Sequence, residues 1–243
     1  MMSALRAWAA LMLITAASAW AASELTLNVD EVDFGRVPQY SNFFRKIVFR
    51  AEGDDTVRIT EIDTFCDCIR LPMERKYIPP GDSMVVELAF NSGGNAGKLQ
   101  WQPHIYNDSK KRMVRFNLYA FPVVDIENQK RIFVGPHTVN ASQFGDKVIK
   151  EFPIQIINSC DEHVPLYLCY TDEEYFTLDF PLYVPPQDTA FGRVILNDKG
   201  IKSEFEKSIT FEFINEDYKK EFYSIPVRRR IFKSAQSGEK ADE

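Results

Sequence analysis

Ile78-Pro79-Pro80-Gly81-Asp82-Ser83 opens an apolar run ending at Asn91, and Val184-Pro185-Pro186-Gln187-Asp188-Thr189 opens a second run ending at Asn197. Turns and run ends both repeat at an offset of 106 residues. Two other segments keep nearly the same offset: residues 57–59 match 164–166 at 107, and Tyr106-Asn107-Asp108 matches Ile214-Asn215-Glu216 at 108. The chain therefore reads as two copies of one unit. A period of this length exceeds the roughly 20–50 residues of solenoid repeats and has the size of one β-sandwich domain.

Composition and patterning agree with that size. The 243 residues include 19 Phe, 10 Tyr and 13 Pro, a balance of strand formers and turn formers. Residues 113–120 place Val114, Phe116, Leu118 and Ala120 on one side and Arg115, Asn117 and Tyr119 on the other, the period of two that marks a half-buried strand. Similar patterning predicts strands at 44–50, 57–62, 84–91, 99–106, 152–157, 164–171, 190–197, 208–214 and 221–231. Glu52-Gly53-Asp54-Asp55, Ser92-Gly93-Gly94-Asn95 and Asp198-Lys199-Gly200 supply turn chemistry between them. No long window shows helical amphipathicity.

Arg6 is the only charge before Glu24, residues 7–17 are apolar apart from Thr15, and Ala19-Trp20-Ala21 offers the Ala-x-Ala pattern of a signal-peptidase site. A cleaved signal peptide is expected at 1–21, and its apolar core is shorter than the roughly 20 residues of a spanning helix. The mature protein is thus expected to be periplasmic or secreted, with no membrane span after signal removal. The domain boundary is placed in Phe121-Pro122-Val123-Val124-Asp125. That gives one domain at 22–122, a divergent second one at 123–232, and a disordered tail at 233–243 without apolar residues beyond alanine. Loss of Arg6 takes Lys plus Arg from 29 to 28 against 35 Asp plus Glu, a net charge of about −7. An acidic exported chain excludes nucleic acid as a partner, since that ligand rewards dense positive charge. The one basic cluster, Arg228-Arg229-Arg230, reads as a solvated strand end.

Three motifs of the first copy occur in a telling order: Val32-Asp33-Phe34-Gly35-Arg36-Val37, then Cys66-Asp67-Cys68, then Ile78-Pro79-Pro80-Gly81-Asp82-Ser83. Together they resemble a bacterial family of exported immunoglobulin-like (Ig-like) domains of unknown function that reads Asp-Phe-Gly-x-Val, Cys-Gly-Cys and Pro-Gly-(Asp/Glu)-Ser. That family is similar to Hydin-type and pilus-chaperone-type sandwiches. The resemblance covers residues 25–121 and implies an all-β fold, two tandem Ig-like β-sandwich domains in all, but no known activity. Asp67 and Ile69 depart from the family's glycine and threonine, and Ala51 stands where asparagine is usual. The second copy restores that asparagine at Asn158, lacks the Cys-x-Cys, and has Gln187 for the turn glycine.

Physically, most of these motifs are fold devices. Pro79, Pro80 and Gly81 set a turn through proline's locked φ and glycine's access to positive φ, and Asp82 satisfies a backbone donor before the next strand. Phe34 is expected in the core, and Gly35 at a bulge or a close backbone approach. Cys66 and Cys68 are the one constellation with possible chemistry. In an extended strand their positions lie about 6.5–7 Å apart, the upper edge of disulfide geometry, so a bend at Asp67 is needed for a bond. Three readings stand open: a structural disulfide or thiol pair, a metal site, or a redox pair. A metal site needs two further ligands, and Met73, His104, His137 and His163 show no spacing that recruits them. A redox pair needs a lowered thiol pKa, which Asp67 opposes. Cys160 lies in a turn and is expected to be free. Cys169 stands on the following strand, about 20 Å away, and is expected to be a core thiol.

No catalytic pattern accompanies these motifs. A Gly-x-Ser-x-Gly elbow, a His-Glu-x-x-His helix and a phosphate loop are absent, and Asp172-Glu173-Glu174 reads as an acidic turn between strands. The sequence therefore points to a non-catalytic exported interaction or scaffold protein, without a cofactor, whose partner is another envelope or secreted protein. One alternative is a periplasmic strand-donating chaperone, with residues 112–121 offering their edge and Arg112 or Arg115 gripping a client carboxylate. A weaker one is a thiol or metal carrier acting through Cys66 and Cys68.

Overall fold

The computed structural model describes residues 23–124, 131–214 and 219–233. The expected signal peptide and nearly all of the expected tail lie outside them. The first half runs β1 (Glu24–Leu27), β2 (Glu31–Pro38), β3 (Asn42–Glu52), β4 (Val57–Asp63), β5 (Ile69–Arg70), β6 (Tyr77–Ile78), β7 (Ser83–Asn91), β8 (Leu99–Trp101), β9 (His104–Asn107), β10 (Met113–Arg115) and β11 (Asn117–Val123). The second half runs β12 (Ile132–Gly135), β13 (Val139–Asn140), β14 (Gln143–Phe144), β15 (Glu151–Asn158), β16 (Val164–Tyr170), β17 (Phe176–Asp179), β18 (Tyr183–Val184), β19 (Asp188–Leu196), α1 (Asp198–Lys202), β20 (Phe205–Ile214), β21 (Lys220–Arg229) and β22 (Ile231–Phe232).

The protein is all-β, and its halves share one topology. In the first, β1-β3-β7-β5 faces β6-β4-β9-β10, while β2 runs parallel to β11. In the second, β12-β15-β19-β17 faces β18-β16-β20-β21, while β13 runs parallel to β21. The strand expected at 99–106 divides into β8 and β9 at Gln102-Pro103, where proline supplies no ladder donor. The strand expected at 113–120 divides at Phe116, whose ring is buried. Each half has its own core: Phe34, Phe43 and Phe90 cluster in the first, with centroids 5.7–6.3 Å apart, and Phe176, Phe205 and Phe211 belong to the second.

The repeated turn has the same geometry twice. Asp82 N donates to Pro79 O, and Gly81 at φ +69° donates to Ala51 O at the end of β3. Gln187 takes the same left-handed conformation at φ +51°, with its side chain donating to Ser159 O and Asp161 Oδ1. Asp82 Oδ1 accepts from Ser83 N, and Asp188 Oδ1 accepts from Thr189 N. Thus the position that favours glycine on steric grounds tolerates glutamine when the side chain is tied to the adjacent loop.

Between the halves, backbone that would stand open is covered. β1 pairs with β3 only from Phe49 onward, which leaves Phe44 and Lys46 without a strand on that side. The second half supplies side chains instead. Ser208 Oγ accepts from Phe44 N at 2.9 Å and lies 3.1 Å from Phe44 O, and Tyr170 OH accepts from Lys46 N.

Candidate functional site

Three places gather the chain's polar and reactive groups: the junction of the halves, the loop around Cys66 and Cys68, and the outer edge of β16.

At the junction, β2 meets β21 at Arg36 and Tyr223, so one sheet runs β18-β16-β20-β21-β2-β11-β8 through both halves. Gly35 permits this contact. It sits at φ +61° where the β2–β11 register slips, and a Cβ there would lie 1.9 Å from Phe222 O. Asp33 Oδ1 accepts from Gly35 N at 2.6 Å, while burial pushes the Asp33 carboxyl above its usual range. Ser224 Oγ donates to Phe34 O at 2.7 Å and Arg36 pairs with Glu221 at 2.8 Å. Beside these groups lies a cavity of about 530 Å³ with Asp33, Arg36, Lys98, Tyr119, Lys220 and Phe222 among its lining.

Deeper in the junction, Lys46 reaches Asp172 at 2.8 Å and Glu174 at 3.1 Å, and Lys207 bonds Glu87 and lies 3.5 Å from Asp172. Burial pulls the Lys46 ammonium down, but hydrogen bonds to Asp172 and Glu174 override it and hold its pKa above the usual lysine range. Hydrogen bonds from Lys199 and then Lys46 draw Glu174 down to about 2. The acidic turn at 172–174 is therefore one side of an ionic lock. Lys46 precedes Asp172 by 126 positions and Lys207 follows it by 35, so no spacing in the sequence could have paired them.

Cys66 and Cys68 are joined by a disulfide with Cα atoms 5.1 Å apart, closer than an extended strand allows. Phe65 at φ +55° makes the bend, and Asp63 Oδ1 accepts its N–H at 2.9 Å. The loop is held by its own carbonyls: Cys68 O accepts from Asn91 N at 2.8 Å, and Cys66 O accepts from Ile69 N and Thr64 Oγ1. A bond enclosing so short a loop restrains the unfolded chain by only about 1.6 kcal/mol on the chain-entropy model, against about 4.7 for a hundred-residue loop. It is not the fold's main fastening. While bonded to each other these sulfurs are not the thiolate pair that a metal requires, and among the described residues no group of three or more His, Cys, Asp or Glu is placed to hold one. His104 meets Phe65 edge to face at 5.0 Å, whereas His163 packs against Tyr183 and His137 against Phe133.

Several expectations are corrected. Cys169 is exposed and free, not a core thiol, because Val164 and Leu166 face inward and Cys169 falls on the opposite phase of β16. Its sulfur lies 3.7 Å from Arg45 Nη2. Arg229 is fully buried and not a solvated strand end; it donates to Ala141 O, Gln143 Oε1 and Ile201 O. The proposed client edge at 112–121 is covered in part: β11 pairs with β2 on one side and β8 on the other, whereas β10 pairs with β9 alone. Cys160 is free, as expected from its place in the turn, and half-buried.

The open edge lies elsewhere. β18 pairs with β16 only at Val164 and Pro165, followed by Leu166 N donating to Leu182 O. Beyond Leu166 no described strand pairs with that side, although Arg45 Nη1 donates to Cys169 O at 3.5 Å. Tyr167, Leu182 and Tyr183 stand 52%, 78% and 54% exposed there. The first half repeats the geometry, with Ile59 N donating to Lys76 O, but carries Thr60 and Lys76 where the second has Tyr167 and Leu182. Lysine is a common guard of strand edges; the second copy lacks it.

Residues 25–121 match a family described as a protein of unknown function, DUF1573. The match ends within β11, so the second half lies outside it. No curated protein sequence matches. Among solved structures, the chain is similar to an ASH/PapD-like domain of human CEP192, at 9% identity and TM-score 0.37 over 42% of this chain and 87% of that one. It is also similar to a protein of unknown function from Porphyromonas gingivalis, at 8% identity and TM-score 0.35 over 84% and 99%. A third is the CupB2 chaperone of Pseudomonas aeruginosa, at 12% identity and TM-score 0.30 over 82% and 99%. Among the described residues no helix is long and apolar enough to cross a membrane.

Proposed function

We infer that this chain is an exported, non-catalytic interaction protein whose second half binds an extended segment of an envelope or secreted partner along the edge of β16. The observation that carries the reading is the open edge itself: beyond Leu166 no described strand pairs with that side of β16, beside the exposed side chains of Tyr167, Leu182 and Tyr183. Backbone hydrogen bonds supply affinity in such strand addition, and alternate side chains supply selectivity. Asp161, Glu162 and Glu173 stand exposed at the two ends of β16. A partner strand with apolar residues at alternate positions and Lys or Arg at its ends complements them. A strand-binding chaperone would use this edge or the outer side of β10, since β11 is paired on both sides.

The test is affinity capture from envelope extracts with a photo-crosslinker in place of the exposed Tyr183. A single partner crosslinked to wild type, with its crosslinked peptide flanked by basic residues, and lost on Leu182→Lys but kept on Tyr40→Lys, supports the reading. Capture unaffected by Leu182→Lys refutes it. A partner that aggregates when separated from this protein identifies it as a chaperone client.

A further inference from the structure

The Cys66–Cys68 loop is built to survive the opening of its disulfide. Its carbonyls are held by Asn91 N, Ile69 N and Thr64 Oγ1, and Ile69 and Arg70 of β5 pair with β7. None of these contacts uses sulfur. Neither cysteine is fully buried, and Asp67 between them is exposed, so its carboxylate is screened by water. The two sulfurs are also not equivalent. Cys68 N–H donates to Cys66 Sγ at 3.1 Å, and a hydrogen bond of this kind favours the anion over the thiol. Phe65, fixed in a left-handed conformation by Asp63, stands 59% exposed next to the loop, its ring meeting His104 edge to face.

We propose that Cys66–Cys68 is a thiol–disulfide exchange site that oxidises a protein dithiol, with Cys68 as the attacked sulfur and Cys66 as the leaving thiolate. The thiolate of the partner attacks Cys68 Sγ; the Cys66–Cys68 bond breaks, and its electron pair departs on Cys66 Sγ, where the Cys68 N–H stabilises it. A second thiolate of the partner then attacks the partner's own sulfur in the mixed disulfide and expels Cys68 Sγ as thiolate. The partner leaves as a disulfide, the chain is left as a dithiol, and two electrons have moved from partner to chain. The exposed ring of Phe65 supplies an apolar contact for residues flanking the partner's cysteine. A leaving sulfur whose anion is hydrogen-bonded and an attacked sulfur open to the partner are the two features that speed such exchange.

The free thiols of Cys160 and Cys169 are first blocked with iodoacetamide in the folded, oxidised chain. Reduced glutathione is then added at about pH 7.5, the reaction is quenched with acid at short times, and the modified sulfur is located by mass spectrometry. The site should open while near-ultraviolet circular dichroism stays native, with glutathione on Cys68 in at least about tenfold excess over Cys66. Two outcomes overturn the proposal: a bond that opens only when the fold is lost in denaturant, or glutathione carried equally or mainly by Cys66.

Discussion

Gly35→Ala is expected to force the two halves apart. The added methyl would sit 1.9 Å from Phe222 O, 2.1 Å from Phe222 C and 2.5 Å from its Cβ. The first two are backbone, so no rotamer change relieves the clash, and the chains must separate by roughly 1 Å or more before ordinary contact is restored. The left-handed backbone adds about 1–2 kcal/mol for a residue with a Cβ. Separation weakens the hydrogen bond from Ser224 Oγ to Phe34 O and the Ser208 contacts with Phe44, each contributing about 1 kcal/mol net. The total is about 3–5 kcal/mol, or a fall in Tm of roughly 10 °C for a chain of this size. Gly81→Ala is the control: its φ is +69°, but a Cβ there meets nothing within 4 Å, so only the backbone cost remains. Urea unfolding of both variants beside wild type separates steric cost from conformational cost. If Gly35→Ala falls within about 1 kcal/mol of Gly81→Ala, the close approach is not what holds the halves together.

Other perturbations probe the same junction and the buried arginine. Ser208→Ala leaves Phe44 N–H without its acceptor and should cost about 1–3 kcal/mol in urea unfolding; a loss below the resolution of the measurement would mean that water replaces the hydroxyl. Arg229→Met strands the carbonyls of Ala141 and Ile201 and should cost about 2–4 kcal/mol, whereas unchanged stability would show that the buried charge offsets its own hydrogen bonds. Because hydrogen bonds from Lys199 and Lys46 hold the Glu174 carboxyl at about 2 in the fold, well below the usual glutamate range, its contribution is complete above about 4.5 and is lost as pH falls toward 2. The Tm difference between wild type and Glu174→Gln should therefore be present at neutral pH and vanish near pH 2; a difference constant across that range would contradict the ionic lock.

Local features of this fold were legible from residue order, and features made by docking were not. The turn at Pro79-Pro80-Gly81 and its repeat are written in neighbouring residues, and so was a need for close approach at Gly35. What Gly35 approaches is Phe222, 187 positions later by residue number, and nothing near either residue names the other. Lys46, Lys207 and Asp172 show the same limit: each looks like an ordinary surface charge until two sheets meet. Arg229 misled because three consecutive arginines suggest water, although strand alternation buries the middle one between Arg228 and Arg230. Cys169 misled for the opposite reason. Its type suggested the core, while its phase relative to Val164 and Leu166 already directed it outward. The edge of β16 could be seen only once the two copies were superposed by topology, with Lys76 against Leu182.

The bare stretch of β3 at Phe44 and Lys46 makes the two halves unequal companions. Cut at the connection, the first half would carry open backbone donors and acceptors into water, a template on which other chains could pair and aggregate. Ser208 and Tyr170 act as an intramolecular plug over that template. The second half thus shields this stretch of the first, and cutting the chain between them would expose what Ser208 and Tyr170 cover.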